Sequence, residues 1–230
     1  MTLDPLDPRT APAEPTPAAA RWLLVGPDDE VSRRLAAHLG MTPETPPGGS
    51  RFVFGAAAAS LIHGDGERAW DAVVYRPPRR RGCPALPDLE DAAAFFAAFG
   101  RAYGGGGGAG GTSPRLVLIS SAAAVSPSHH HPGQAAEAER PPGRNPIARA
   151  WLELEALAAA SLRDPTVAGP RAAAELIVLR PAAVAARDGE DVLCRVLRGR
   201  AASVPAGFDP TVQLLSPDDL AAAVEHALRR

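Results

Sequence analysis

Lysine is absent from this sequence: all 24 of its basic residues are arginine. Because arginine stays protonated under nearly all conditions, it provides neither a Schiff-base amine nor an ammonium group with an adjustable pKa. The absence therefore excludes pyridoxal chemistry, a phosphate loop of the Walker type and any acid–base step that depends on lysine.

Cysteines and long apolar runs are also scarce. Cys83 and Cys194 are the two cysteines and lie far apart without a partner motif, so a disulfide framework is not expected. No apolar run approaches the ~20 residues of a membrane span, and the N-terminus lacks the pattern of a secretion signal. The net charge of −2 does not provide the excess of positive charge that is typical of nucleic-acid binding. We expect a cytoplasmic protein that binds neither nucleic acid nor membrane.

Two regions differ in composition. Residues 1–20 are rich in proline, alanine and threonine without periodicity, which predicts a disordered arm. Residues 21–230 alternate between apolar strand patterns and helical periodicities, and the chain is 46% hydrophobic, enough for one substantial core. This alternation predicts a single α/β domain with a doubly wound, mainly parallel sheet of the Rossmann type.

The first predicted strand ends at Gly26 and is followed directly by a helix. In doubly wound proteins, the pyrophosphate of a dinucleotide rests at this turn on the helix N-terminus. The usual pattern has glycine three and six places later, where this sequence has Asp29 and Ser32. Asp28 and Glu30 add two further carboxylates. Gly26, Asp29 and Ser32 are thus candidate cofactor-binding residues of a degenerate motif that disfavours NAD or NADP.

Three further motifs favour ordinary loops over functional sites. The Arg79–Arg81 triplet predicts a solvated loop rather than an anion clamp. The glycine run Gly104–Gly108 predicts a flexible connector, since no Lys-Ser/Thr pair follows it. His129–His131 are adjacent and have no second cluster of ligands, so they predict a polar loop and no metal site.

Five stretches together resemble the extended short-chain dehydrogenase/reductase superfamily, in particular its NAD-dependent epimerase/dehydratase branch. They are LLVGPDDEVSRRLAAHL, DAVVYRP, RLVLISSAAAVS, ELIVLRPAAVAARDG and VQLLSPDDLAAAVEHAL. The fourth is the most specific, because a strand that ends in Leu-Arg-Pro before a short apolar segment and a glycine is characteristic of that branch. The resemblance implies a Rossmann-like fold with a reduced C-terminal substrate lobe, and dimerisation through the helix at 146–162.

The chemistry of that family depends on a serine, a tyrosine and a lysine four residues after the tyrosine, which together move a proton as hydride leaves. Alignment of the helix by Glu155 puts Ile147 at the tyrosine position and Trp151 at the lysine position. Ser121, or the adjacent Ser120, matches the family's serine at the end of its strand. Ser121 is therefore the candidate remnant of the catalytic set.

These losses favour a catalytically inactive relative that acts as a binding or assembly partner, either as a homodimer or with a catalytic paralogue. The alternative is an active NAD(P)-dependent oxidoreductase or sugar epimerase/dehydratase with non-standard acid–base groups. Ser121, Glu155 and the His129–His131 loop are its candidates. A serine hydrolase is not expected, because no Gly-x-Ser-x-Gly elbow is present.

Overall fold

A computed structural model of the chain describes residues 20–41, 51–54, 62, 70–103, 114–125, 145–162, 174–187, 199 and 213–229. In these ranges the strands are β1 (Trp22–Gly26), β2 (Arg51–Phe54), β3 (Ala72–Tyr75), β4 (Arg79–Arg80), β5 (Cys83–Pro87), β6 (Arg115–Ile119), β7 (Leu176–Leu179), β8 (Ala183–Val184) and β9 (Leu214–Leu215). The helices are α1 (Glu30–His38), α2 (Leu89–Tyr103), α3 (Pro146–Ser161) and α4 (Pro217–Arg229).

The main sheet has five strands in the order β2-β1-β3-β6-β7, and every neighbouring pair is parallel. From β1 the chain moves first to one side, to β2, and then to the other side, to β3. The strand order therefore reverses between β1 and β3, where ligands bind in open parallel sheets. This arrangement confirms the doubly wound fold that the sequence predicts.

Helices cover both faces of this sheet, because its strands are apolar on both sides. Leu23, Val73 and Leu116 pack with α2 and α3 on one face. Leu24 and Val74, which alternate with them along the strands, pack with α1 and α4 on the other. Each fully buried side chain of this size stabilises the fold by about 1.5–3 kcal/mol relative to its exposed state, so the two layers together provide most of the driving force for folding.

Side chains cap the first turns of α3 and α4. The Asn145 side-chain oxygen accepts a hydrogen bond from the Ile147 N–H at 2.9 Å, with Pro146 at the first helical position. Ser216 Oγ accepts one from the Asp219 N–H at 3.0 Å. Because each cap lies immediately before its helix, the sequence encodes both helix starts locally.

Contacts that are distant in sequence hold α4 against α1 and the sheet. The Arg115 guanidinium donates to the carbonyls of Ala227 and Leu228 at 3.2 and 3.0 Å, and so satisfies the last turn of α4. His38 Nε2 of α1 lies 2.9 Å from Glu225 Oε2 of α4. The hydrogen bond with His38 holds the pKa of Glu225 below its usual value, and the charge of Arg229 lowers it further.

One expectation differs from the structure. Arg79 and Arg80 are not in a solvated loop: they form β4, which pairs antiparallel with β5.

Several predictions fall outside the described residues. These are the N-terminal arm, except for its last residue, the glycine run, the histidine triplet and Cys194. Cys83 is a half-exposed free thiol. Of the helices that the structure describes, none combines the length and apolar character needed to cross a membrane.

The lowered pKa of Glu225 predicts a pH-dependent contribution to stability. The carboxylate stabilises the folded state above the unfolded-state pKa of about 4.3, and the contribution disappears as the pH falls through the lower folded-state pKa. Denaturant unfolding of Glu225→Gln should therefore show a deficit at neutral pH that vanishes in acid. Glu153→Gln, at an exposed position on α3, is the control. An equal deficit at all pH values would contradict the prediction.

Candidate functional site

A cleft of about 600 Å³ opens at the carboxyl edge of the sheet. Because the strands are parallel, the residues that follow β1, β3, β6 and β7 all meet there. Its walls combine four charged side chains, two serines and a mainly apolar remainder. They are formed by Pro27, Asp28, Asp29, Val31, Arg76, Pro77, Pro78, Arg79, Ile119, Ser120, Ser121, Ala122, Ala123, Trp151, Pro181, Ala182, Ala183, Val184 and Leu220.

The turn after β1 is closely packed. Asp29 is the N-cap of α1, and its Oδ1 accepts a hydrogen bond from the Ser32 N–H at 2.9 Å. Ser32 is fully buried. A Cβ atom added at Gly26 would lie 2.9 Å from Ser32 Oγ, so a side chain at position 26 would require Ser32 to shift. The three candidate cofactor-binding residues therefore lie together at this turn.

Arg76 completes this turn from the neighbouring strand, and no local sequence pattern predicts its role. It follows β3 directly, and its Nη1 donates to Asp29 Oδ2 at 2.5 Å and to Ser32 Oγ at 2.9 Å. Its side chain is 15% exposed and that of Asp29 is 28% exposed, so the pair is partly shielded from water. The signal that could have revealed Arg76 is its position, a charged residue at the end of a strand beside β1.

The other two carboxylates of the turn also have internal partners. Asp28 pairs with Arg33 at 2.7 Å on the exposed surface of α1. The Glu30 carboxylate accepts a hydrogen bond from the backbone N–H of Arg187. All three acidic side chains thus have partners within this chain near the helix N-terminus, which favours negative charge.

A dinucleotide pyrophosphate does not fit this arrangement. It would need the free N–H groups of the first turn of α1 and a bare backbone, but Asp29 already occupies the Ser32 N–H. Its negative charge would also lie against Asp28 and Asp29, which line the cleft. The arginines of this turn already have carboxylate partners, because Arg33 pairs with Asp28 and Arg76 with Asp29.

The two serines after β6 have different roles. Ser120 is buried, and its Oγ donates to Glu155 Oε1 at 2.7 Å. Arg180 grips the same carboxylate with two hydrogen bonds of 2.9 and 2.7 Å. Ser121 Oγ instead accepts from the Ala123 N–H at 3.2 Å and caps a short 3-10 turn. Ser121, the candidate catalytic remnant, therefore lines the cleft as a turn cap.

The period of two along β6 could have distinguished these serines. Leu116 and Leu118 face α2 and α3, so Ser120 two places further on faces them as well. This orientation brings Ser120 to Glu155 on α3. Such a Ser–Glu–Arg network is a rigid junction between β6, α3 and the end of β7, because each polar group has a charged or hydroxyl partner.

Trp151 forms an apolar wall of the cleft where the resemblance places the family's lysine. The residue is 1% exposed, and its Nε1 donates to the Ala85 carbonyl at 3.1 Å. The Arg79 guanidinium lies 4.6 Å from the centroid of the Trp151 ring, within cation–π distance. The β4–β5 hairpin is thereby fixed to α3. The indole cannot exchange a proton near neutral pH, and Ile147, at the tyrosine position, is half-buried.

Neither tyrosine of the chain reaches the cleft. The Tyr75 hydroxyl donates to Asp91 at 3.0 Å, and burial with that neighbouring charge raises the pKa of Tyr75 well above its usual value. The Tyr103 hydroxyl donates to the Ile62 carbonyl, and burial raises the pKa of Tyr103 to about 12. Both hydroxyls therefore form hydrogen bonds within the folded core and are not placed to transfer a proton in the cleft. Nor do the described residues contain a cluster of three or more potential metal ligands.

The fold is similar to solved epimerase-type structures. MoeE5, in complex with UDP-glucose and NAD, matches 90% of this chain and 71% of its own length at a TM-score of 0.59 and 18% identity. UDP-N-acetylglucosamine 4-epimerase from Bacillus cereus matches 92% of this chain and 72% of its own length, at a TM-score of 0.62 and 13% identity. Human epimerase family protein SDR39U1, with NADPH, matches 90% of this chain and 70% of its own length, at a TM-score of 0.58 and 17% identity.

These similarities concern structure alone. No protein-family model matches the chain, and no curated protein matches its sequence. The chain has the fold of the NAD-dependent epimerase/dehydratase group of extended short-chain dehydrogenases/reductases. The resemblance predicted from five sequence stretches is therefore confirmed at the level of the fold.

The close packing at Gly26 predicts a measurable cost of substitution. Gly26→Ala should destabilise the fold by about 1–3 kcal/mol, because the added methyl would overlap Ser32 Oγ. In a Ser32→Ala background the same change should cost less, since the overlapping oxygen is gone. Denaturant unfolding of the two single variants and the double variant measures this coupling. Equal costs in both backgrounds would show that the overlap is not the cause.

Proposed function

We propose that this chain is a divergent relative of the NAD-dependent epimerases/dehydratases that does not carry out their chemistry and acts as a binding or assembly partner. It would act as a homodimer or together with a catalytic paralogue. A cytoplasmic location, expected from the sequence, is part of the same proposal.

One observation carries the proposal: the described lining of the cleft has no side chain suited to move a proton near neutral pH. Ser121 accepts a backbone hydrogen bond, and Asp28 and Asp29 are paired with arginines. Glu155, behind Ser120, is held by two hydrogen bonds from the Arg180 guanidinium and by one from Ser120. General acid–base catalysis requires a positioned group with a pKa near the working pH. The chain contains no lysine, and both its tyrosines are bound elsewhere.

The retained architecture supports a binding role. A parallel sheet with its reversal between β1 and β3 still forms a cleft of about 600 Å³, large enough for a small molecule. The groups that would have carried out chemistry there are replaced by fixed ion pairs and an apolar wall. A site of this kind can hold a ligand or a peptide segment without transforming it.

The absence of chemistry is tested by turnover. Purified protein incubated with NAD or NADP and either UDP-glucose or UDP-N-acetylglucosamine should give neither reduced nicotinamide nor a converted sugar. The Bacillus cereus epimerase in the same assay is the positive control. Turnover that is lost in Ser121→Ala or Glu155→Gln would overturn the proposal and support the alternative, an active oxidoreductase or epimerase with non-standard groups.

The assembly role is tested by oligomeric state. Light scattering after size exclusion should give twice the monomer mass at high micromolar concentration. Ala156→Arg, on the exposed side of α3, should return the protein to a monomer if this helix forms the interface. Ala37→Arg, on the exposed side of α1 across the sheet, is the matched control and should leave the dimer intact. A strict monomer would contradict self-assembly.

A further inference from the structure

We infer that the Asp29–Arg76 pair is a built-in occupant of the position where a nucleotide pyrophosphate would rest, and that it determines which ligands this end of the cleft rejects. The inference deepens the proposed function, because it states what the cleft excludes. It is tested separately, by binding rather than by turnover.

The Asp29 carboxylate lies at the N-terminus of α1. Asp29 Oδ1 lies 2.9 Å from the Ser32 N at the first turn of α1, a helix of nine residues. A phosphate oxygen bound at a helix N-terminus makes the same kind of contact and gains the same favourable interaction with the helix dipole. The chain therefore already supplies an anion to its own helix.

Arg76 is the cation that completes this arrangement. Arg76 Nη1 contacts both the other oxygen of Asp29 and the hydroxyl of Ser32. An incoming phosphate would need this guanidinium, since arginine provides strong paired hydrogen bonds to phosphate. One internal carboxylate thus engages both the helix N–H and the charge that a phosphate would require. Ser32 also fills the space above Gly26, so the turn is closed by shape as well as by charge.

A phosphate would have to compete with the Asp29 carboxylate, which is permanently attached to the site. Asp29 is covalently part of the turn, so its carboxylate acts at a high effective concentration, whereas a free ligand acts at its bulk concentration. A phosphate that displaced it would leave the carboxylate without its partners and beside a second negative charge. Both effects oppose binding.

The experiment is calorimetric titration of the full chain and its variants with NAD and with ADP. The wild type should show no saturable binding at millimolar ligand. Asp29→Gly, which removes the carboxylate and keeps a residue tolerated at an N-cap, should bind at least about tenfold more tightly. Asp29→Gly combined with Arg76→Gln should return to the wild-type level. Asp28→Asn removes an adjacent charge that does not contact Arg76, so it should relieve only electrostatic repulsion and give a much smaller gain in binding than Asp29→Gly.

The outcomes separate the inference from the proposed function. Micromolar binding of NAD to the wild type would overturn the inference, whereas the proposed absence of chemistry would fall only on turnover. A folded Asp29→Gly variant with no gain in binding would overturn the inference as well. If Asp29→Gly does not fold, Asp29→Asn decides, because asparagine caps a helix as well as aspartate does and carries no charge. Asparagine releases the Arg76 guanidinium but can still accept from the Ser32 N–H, so a smaller gain in binding is expected there, and its absence counts against the inference.

Discussion

The parallel direction of all five strands in the main sheet is the constraint on which the site depends. It requires apolar residues on both faces, and it brings the carboxyl ends of β1, β3, β6 and β7 to one edge. This constraint brings residues that are far apart in the sequence to the same edge. They stand at the carboxyl ends of the four strands and are Gly26, Arg76, Ser120 and Arg180. The scaffold thus determines where polar groups meet, and the residues at the strand ends determine what they do there.

The changes at the first turn depend on one another. A carboxylate in place of a glycine needs a cation, which Arg76 provides, and Arg76 in turn uses the hydroxyl of Ser32. Removal of one partner would leave a partly buried charge without its counterpart, which costs more than the pair itself contributes. Asp29, Ser32 and Arg76 therefore form one interaction unit rather than three independent departures from a familiar pattern.

The sequence predicts those features that are encoded locally. The strands have continuous apolar runs, and the caps Asn145 and Ser216 stand immediately before their helices, so both were predictable. Arg76, the grip of Arg180 on Glu155 and the docking of Arg79 on Trp151 join residues distant along the chain. No local pattern specifies such contacts. Only the strand order and the alternation of side chains bring them together.

Trp151 gives the cleft an optical property. Of the three tryptophans, Trp22 begins β1 and Trp70 precedes β3, so both lie at the amino end of the sheet. Trp151 lies at the carboxyl end, in the cleft wall. A molecule bound in the cleft would lie against this wall and change the electrostatic environment of the ring. The intrinsic fluorescence of the protein therefore offers a way to follow occupancy of the cleft without any added label.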